Sequence, residues 1–73
     1  MKYICIINFG NQQEIFVFPK TINHAYMADL LHCPVISAGF VSIANMCFGE
    51  SLTLDLKSRG QIDTDILAKQ FLV

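Results

Sequence analysis

Residues 3–9 read Tyr3-Ile4-Cys5-Ile6-Ile7-Asn8-Phe9. β-Branched and aromatic side chains dominate, and these suit a pleated backbone. Alternation puts Tyr3, Cys5, Ile7 and Phe9 on one side and Ile4 and Ile6 on the other. A strand with one wetted face would alternate apolar with polar. A strand apolar on both sides is a central one, covered from above and below.

The elements around it follow from local signals. Gly10-Asn11 supplies turn chemistry. Residues 14–18 form a second strand, with Ile15 and Val17 on one face and Phe16 and Phe18 on the other. Two apolar runs joined by a short Gly-containing link make a β-hairpin. Pro19 ends it, having no N–H for the ladder. Asn23 is a good N-cap, and Ile22 and Met27 are spaced for a hydrophobic staple. Met27, Leu30 and Leu31 then recur at helical spacing, so a short helix spans 24–32, closed by Pro34.

The same logic repeats downstream. Residues 35–43 form a third strand and 47–56 a fourth, with Phe48, Leu52, Leu54 and Leu56 on one face and Ser51, Thr53, Asp55 and Lys57 on the other. Glu50 interrupts the fourth strand and marks a strand end or a bulge. After a polar loop containing Gly60, Asp63 can cap a second helix, Asp65 lies in its first turn and Ile62 can staple onto Leu67. Ile66, Leu67 and Phe71 make its apolar stripe, and it runs almost to the C-terminus.

The expected fold is therefore α+β, in the order ββαββα. It is one domain over residues 1–73, a four-stranded, mostly antiparallel sheet with two short helices packed on one face. Neither helix is long enough to be stable alone.

Composition narrows the function. Hydrophobic residues make up 53% of the chain and charged residues 15%. That is apolar for so short a chain, so part of this material is expected at an interface. Five basic and six acidic residues leave a net charge of −1 with no cationic run, which argues against direct nucleic-acid binding. Cys5, Cys33 and Cys47 are odd in number and include no CxxC pair, so reduced thiols in a cytoplasm fit better than a disulfide scaffold. The N-terminal apolar run stops at Asn8 without a cleavage site, and no run approaches the ~18 residues of a membrane span. A soluble, cytoplasmic protein is expected.

No residue pattern points to chemistry. Ser37 lies within a strand, without the strand-to-helix turn of a nucleophile elbow. His32 and Cys33 are sequence neighbours, which rarely face each other as a dyad. His24 and His32 lie some two helical turns apart, about 12 Å by helix rise, too far to share one ion. His24 is expected to satisfy loop backbone groups instead. Asp63, Asp65 and the other carboxylates read as solvated surface charge, and Ser58-Arg59-Gly60 as a polar loop or a small anion site. No catalytic, metal or cofactor-binding residue is expected.

Two features carry the functional expectation. Helices on one sheet face would leave the other open and apolar, with Ile4, Ile6, Val41 and Ile43 as the candidate interface, buried against a second copy about a two-fold axis. Ser37, Ala38 and Gly39 are the smallest residues of the third strand. They are expected to permit close approach of a helix, of a bulged backbone or of the partner.

The segments INFG, FP…I.H..MA, VISAGFV and CFGESLTLDLKSR resemble a group of short uncharacterised proteins of bacterial prophages and mobile elements. The resemblance spans most of the chain. It is best at His24 with Met27, at residues 37–40 and at 49–51. It implies no activity, cofactor or catalytic residue, only a bacterial or phage cytoplasmic setting. The expectation is a non-catalytic interaction module, a phage- or mobile-element-encoded accessory protein acting as a homodimer. The first alternative is a small inhibitor that binds a host protein such as a defence component; the second is a nucleic-acid accessory factor.

Overall fold

In the computed structural model, which describes residues 1–71, strands β1 (Lys2–Ile7) and β2 (Gln13–Phe18) form the expected hairpin, with Cys5 opposite Ile15. Asn8 builds the turn. Its side-chain oxygen accepts from the backbone N–H of Gly10 and of Gln12, both at 3.0 Å. The turn takes Phe9 out of the strand and leaves it exposed.

Helix α1 (His24–Leu31) is capped as expected, Asn23 Oδ1 accepting from Ala25 N at 2.7 Å. His32 ends it in the left-handed region, φ 53°, ahead of Pro34. Strand β3 (Val35–Val41) then pairs antiparallel with β1 on the side away from β2. Strand β4 (Cys47–Phe48) pairs with the end of β3, giving the sheet order β2-β1-β3-β4.

The expected fourth strand breaks at Gly49, whose φ of +80° turns the chain off the sheet. Past this break the chain forms a separate small hairpin of β5 (Glu50–Ser51) and β6 (Leu56–Lys57). The residues between them form its turn, stabilised by Leu54 N donating to Ser51 Oγ at 3.2 Å. Leu52 is consequently exposed and not a core residue. Helix α2 (Gln61–Gln70) starts two residues before the expected cap, behind Gly60 at φ 58°. Ile62 is exposed, so it forms no staple. The last residues of the expected helical stretch, 72–73, lie outside the described residues.

The architecture is a small α+β fold built on an antiparallel sheet, as the sequence indicates, but the helices lie on opposite faces. Ile4, Ile6, Phe18 and Ala38 pack beneath Met27, Ala28 and Leu31 of α1. Tyr3, Cys5, Ile15 and Cys47 pack against Leu67 and Ile66 of α2. The connectivity explains this. β2 and β3 both run antiparallel to β1 and flank it, so the chain between them crosses over β1 and lays α1 across its Ile4/Ile6 face. The other face is left for α2. β1 is thus covered on both sides as its sequence requires, and each cover comes from its own chain.

Candidate functional site

The four residues expected to form one interface separate in space. Ile4 and Ile6 are essentially fully buried under α1, so neither is available to a partner. Val41 and Ile43 lie at the opposite end of the sheet from Phe9, where β3 turns toward β4. Val41 is half-buried against the α2-side core, while Ile43 is fully exposed.

Ile43 stands on an ordered turn. Ser42 N donates to Met46 O at 3.0 Å, Asn45 N to Ser42 O at 2.9 Å and Met46 N to Ser42 Oγ at 3.2 Å. Asn45 takes the positive φ, 60°, that such a turn demands and that asparagine tolerates. A hollow lies on each side of this tip. One, of about 440 Å³, is bounded by Met1, Phe40, Val41 and Phe48 with Lys20 at its border. The other, of about 430 Å³, is bounded by Met1, Val17, Val41, Leu67 and Phe71. Met1, Met46, Phe48 and Phe71 are between 46% and 64% exposed. Together these residues make an apolar rim on which, among the described residues, Lys20 is the one charged side chain bordering either hollow. Sequence reading missed Met1, Phe48 and Phe71. A run of apolar residues around a hairpin turn, Val41 to Phe48, was the available signal.

The small triplet meets its own chain. A Cβ on Gly39 would collide with the backbone carbonyl oxygen of Phe48 and press on Ser58 Cβ. Ala38 is buried in the core on the α1 side, and Ser37 faces the α2 side with its Oγ buried and, among the described residues, without a hydrogen-bond partner. His24 is buried, and its Nε2 lies 2.8 Å from Gly39 O; since a carbonyl only accepts, Nε2 carries the proton. The imidazole meets Phe18 and Phe40 edge-on, with centroids 5.6 and 5.7 Å away, and Gly49 lies against the Phe40 ring. His24, Gly39 and Gly49 therefore meet one another here in packing roles.

A second cluster was not legible in the sequence. Asp63, expected at the surface, is fully buried. Its Oδ2 accepts from Tyr3 Oη at 2.5 Å and from Arg59 N at 3.0 Å, and its Oδ1 accepts from Arg59 Nε at 2.9 Å. Tyr3 Oη is also 2.7 Å from Ser58 Oγ. The phenol has a single proton, and the carboxylate takes it, so Ser58 supplies its own. Arg59 Nη2 additionally reaches Gln13 Oε1 at 2.9 Å and Cys5 Sγ at 3.4 Å. The guanidinium is thus committed to Asp63 and Gln13, which removes the anion site considered for residues 58–60.

Electrostatics agree with a closed network. Burial alone would raise the Asp63 pKa, but the hydrogen bonds from Tyr3 and Arg59 outweigh it and hold the carboxyl below its ordinary value. Burial and then the Asp63 carboxylate push the Tyr3 phenol well above the usual tyrosine range. Burial likewise raises the Cys5 and Cys47 thiols. Tyr3 and both thiols therefore stay protonated near neutrality. Every charge in the cluster is matched, and neither hollow beside Ile43 is lined by it. It pins α2 and the residue 58–60 loop to β1.

Fold and surfaces together define a small two-faced α+β domain with a closed internal polar pin and an open apolar rim. Among the described residues no three His, Cys, Asp or Glu side chains are grouped to hold a metal ion, and no helix is long and apolar enough to cross a membrane. No family model, no curated protein and no solved structure matches this chain.

Proposed function

We propose that this protein is a non-catalytic interaction module, a phage- or mobile-element-encoded accessory protein that works in the cytoplasm as a homodimer. The observation that carries the reading is the apolar rim around Ile43. With a fully exposed large apolar side chain presenting roughly 200 Å², the exposures of Met1, Val17, Ile43, Met46, Phe48 and Phe71 amount to on the order of 700 Å². That exceeds the ~300–600 Å² of the largest patch on an ordinary monomer. It is close to the ~800 Å² that each partner contributes to a standard interface.

The mass in solution tests the reading. Light scattering on a sizing column is expected to give twice 8.2 kDa. A strict monomer up to about 1 mM, a millimolar Kd being at the weak end of specific association, rules the homodimer out. A second reading, a small inhibitor of a host protein, has a specific observation in its favour. Lys20 borders one hollow, so a partner with an acidic group beside an apolar centre would fit there, whereas the further cleft of about 460 Å³ beside Phe40 and Phe48 carries both Lys2 and Glu50 and adds no charge preference. That reading predicts a monomer that captures one bacterial protein and loses it on Lys20→Glu.

A further inference from the structure

Resting on the proposal that the rim is a docking surface, we infer that its occupant is a second copy of this chain, related by a two-fold axis. Ile43 of each copy sits in the hollow bounded by Met1, Phe40, Val41 and Phe48 of the other.

Three observations point there. First, strand addition is disfavoured. At the middle of the β2 edge the Gln70 side chain occupies both outward backbone groups of Ile15: its Oε1 accepts from Ile15 N at 2.6 Å and its Nε2 donates to Ile15 O at 2.9 Å. The opposite edge strand, β4, has two residues, and beyond it the chain leaves the sheet at Gly49. Both outer strands thus offer few free backbone groups for edge-to-edge pairing, which leaves side chains as the better means of association.

Second, knob and hollow are neighbours on one surface. An isologous two-fold interface needs a patch that complements itself, so that residue i meets j while j meets i. Ile43 is fully exposed on a turn held by three hydrogen bonds, and a hollow of about 440 Å³ lies directly beside it. The knob is pre-ordered, so docking it costs little additional entropy.

Third, charge allows it. Among the described residues Lys20 is the one charged side chain bordering that hollow, and it is exposed at the border, where its ammonium can stay hydrated. The contact can therefore close with the Lys20 ammonium left in water. The apolar area of the rim also matches what a standard dimer needs from each partner.

The test is sedimentation equilibrium on the full chain and three single variants, with thermal melts as folding controls. Ile43→Asp is expected to melt as the wild type does, because the side chain it replaces touches solvent only, and to raise the dimer dissociation constant at least 100-fold. Phe9→Asp, in the β1–β2 turn, and Leu30→Asp, on the outer face of α1, are expected to leave it unchanged. Isotope-filtered NMR on a mixture of labelled and unlabelled chains is expected to show Ile43 methyl protons close to Phe40 or Phe48 ring protons of the other copy. A wild-type dimer that survives Ile43→Asp overturns the inference and leaves the interaction module standing with a different face. A monomeric wild type overturns the inference and the homodimer proposal together.

Discussion

At the level of single residues, the fold depends on a few close fits that tolerate no substitute. Gly39 faces the Phe48 carbonyl, a backbone atom that cannot swing aside, so Gly39→Ala must move β4 or β3. Overpacking of this kind costs about 1–3 kcal/mol. At roughly 4–8 °C per kcal/mol for a domain of this size, a melting point lowered by at least about 5 °C is expected. An unchanged melt would show that β4 is free to shift. Asp63 makes a different prediction. Its folded-state pKa lies below the unfolded value, so it adds stability above about pH 4 and that stability is lost as pH falls through the folded pKa. Tyr3→Phe removes the shortest hydrogen bond to the carboxylate and brings the folded pKa back toward the unfolded one. Urea midpoints are expected to fall at pH 7, by about 1–3 kcal/mol of stability. The loss between pH 7 and pH 3 should be smaller in the variant than in the wild type. An equal acid loss in both would mean that Tyr3 does not set the Asp63 titration.

At the level of elements, local chemistry decides where each one starts and stops, while contacts far apart in sequence decide what it covers. The Asn23 cap and the alternation of β2 were readable because their partners lie within a few residues. The break at Gly49 was not. Residues 47–56 alternate well enough for one strand, and only the approach of Gly39 to Phe48, with Ser58 N donating to Gly49 O at 2.9 Å, shows why the chain turns away there. Helix α2 illustrates the same point. Its single fully buried apolar anchor is Leu67, helped by the partly buried Ile66, and the rest of its hold on the sheet is polar, through Asp63, Thr64 and Gln70. Leu67→Ala is expected to cost about 2–5 kcal/mol, near the whole stability of a domain this small. Proteolysis should then cut first within α2. Initial cleavage in α1 instead would contradict the assignment of Leu67 as the anchor.

At the scale of the whole molecule, two covered faces leave a cluster of exposed apolar side chains around Ile43 at one end of the sheet, with Phe9, Leu30 and Leu52 exposed elsewhere. The burial also sorts the thiols. Cys5 and Cys47 lie in the α2-side core and Cys33 is partly exposed. With a thiol reagent at neutral pH, one cysteine of the native protein is expected to react promptly and all three after unfolding, since buried protonated thiols are inert. Fast reaction of two or three in the native state would show that the α2 face opens readily. Dimerisation at the rim has its own signature: the melting point should rise with protein concentration, because association draws on the folded state alone. A concentration-independent melt would agree with a monomer and with failure of the homodimer proposal.

Several features of this protein were determined by sequence alone. β1 is apolar on both alternating faces and therefore had to be central and doubly covered; the class, a small antiparallel α+β domain, follows from local propensity, turn chemistry and capping. The identity of the second cover was a matter of tertiary structure. It depends on the crossover from β2 to β3, which places α1 on the Ile4/Ile6 face, and no pattern within a single segment encodes that path. The same limit hid the polar pin, because Tyr3 and Asp63 lie 60 residues apart and an isolated aspartate near a helix start looks like solvated charge. It also placed Ile4 and Ile6 on an open face with Val41 and Ile43. Apolar composition correctly signalled surplus surface, but only the folded chain decided that Ile4 and Ile6 are core while Ile43 stands in solvent, since burial belongs to the arrangement of elements and hydrophobicity to the residue.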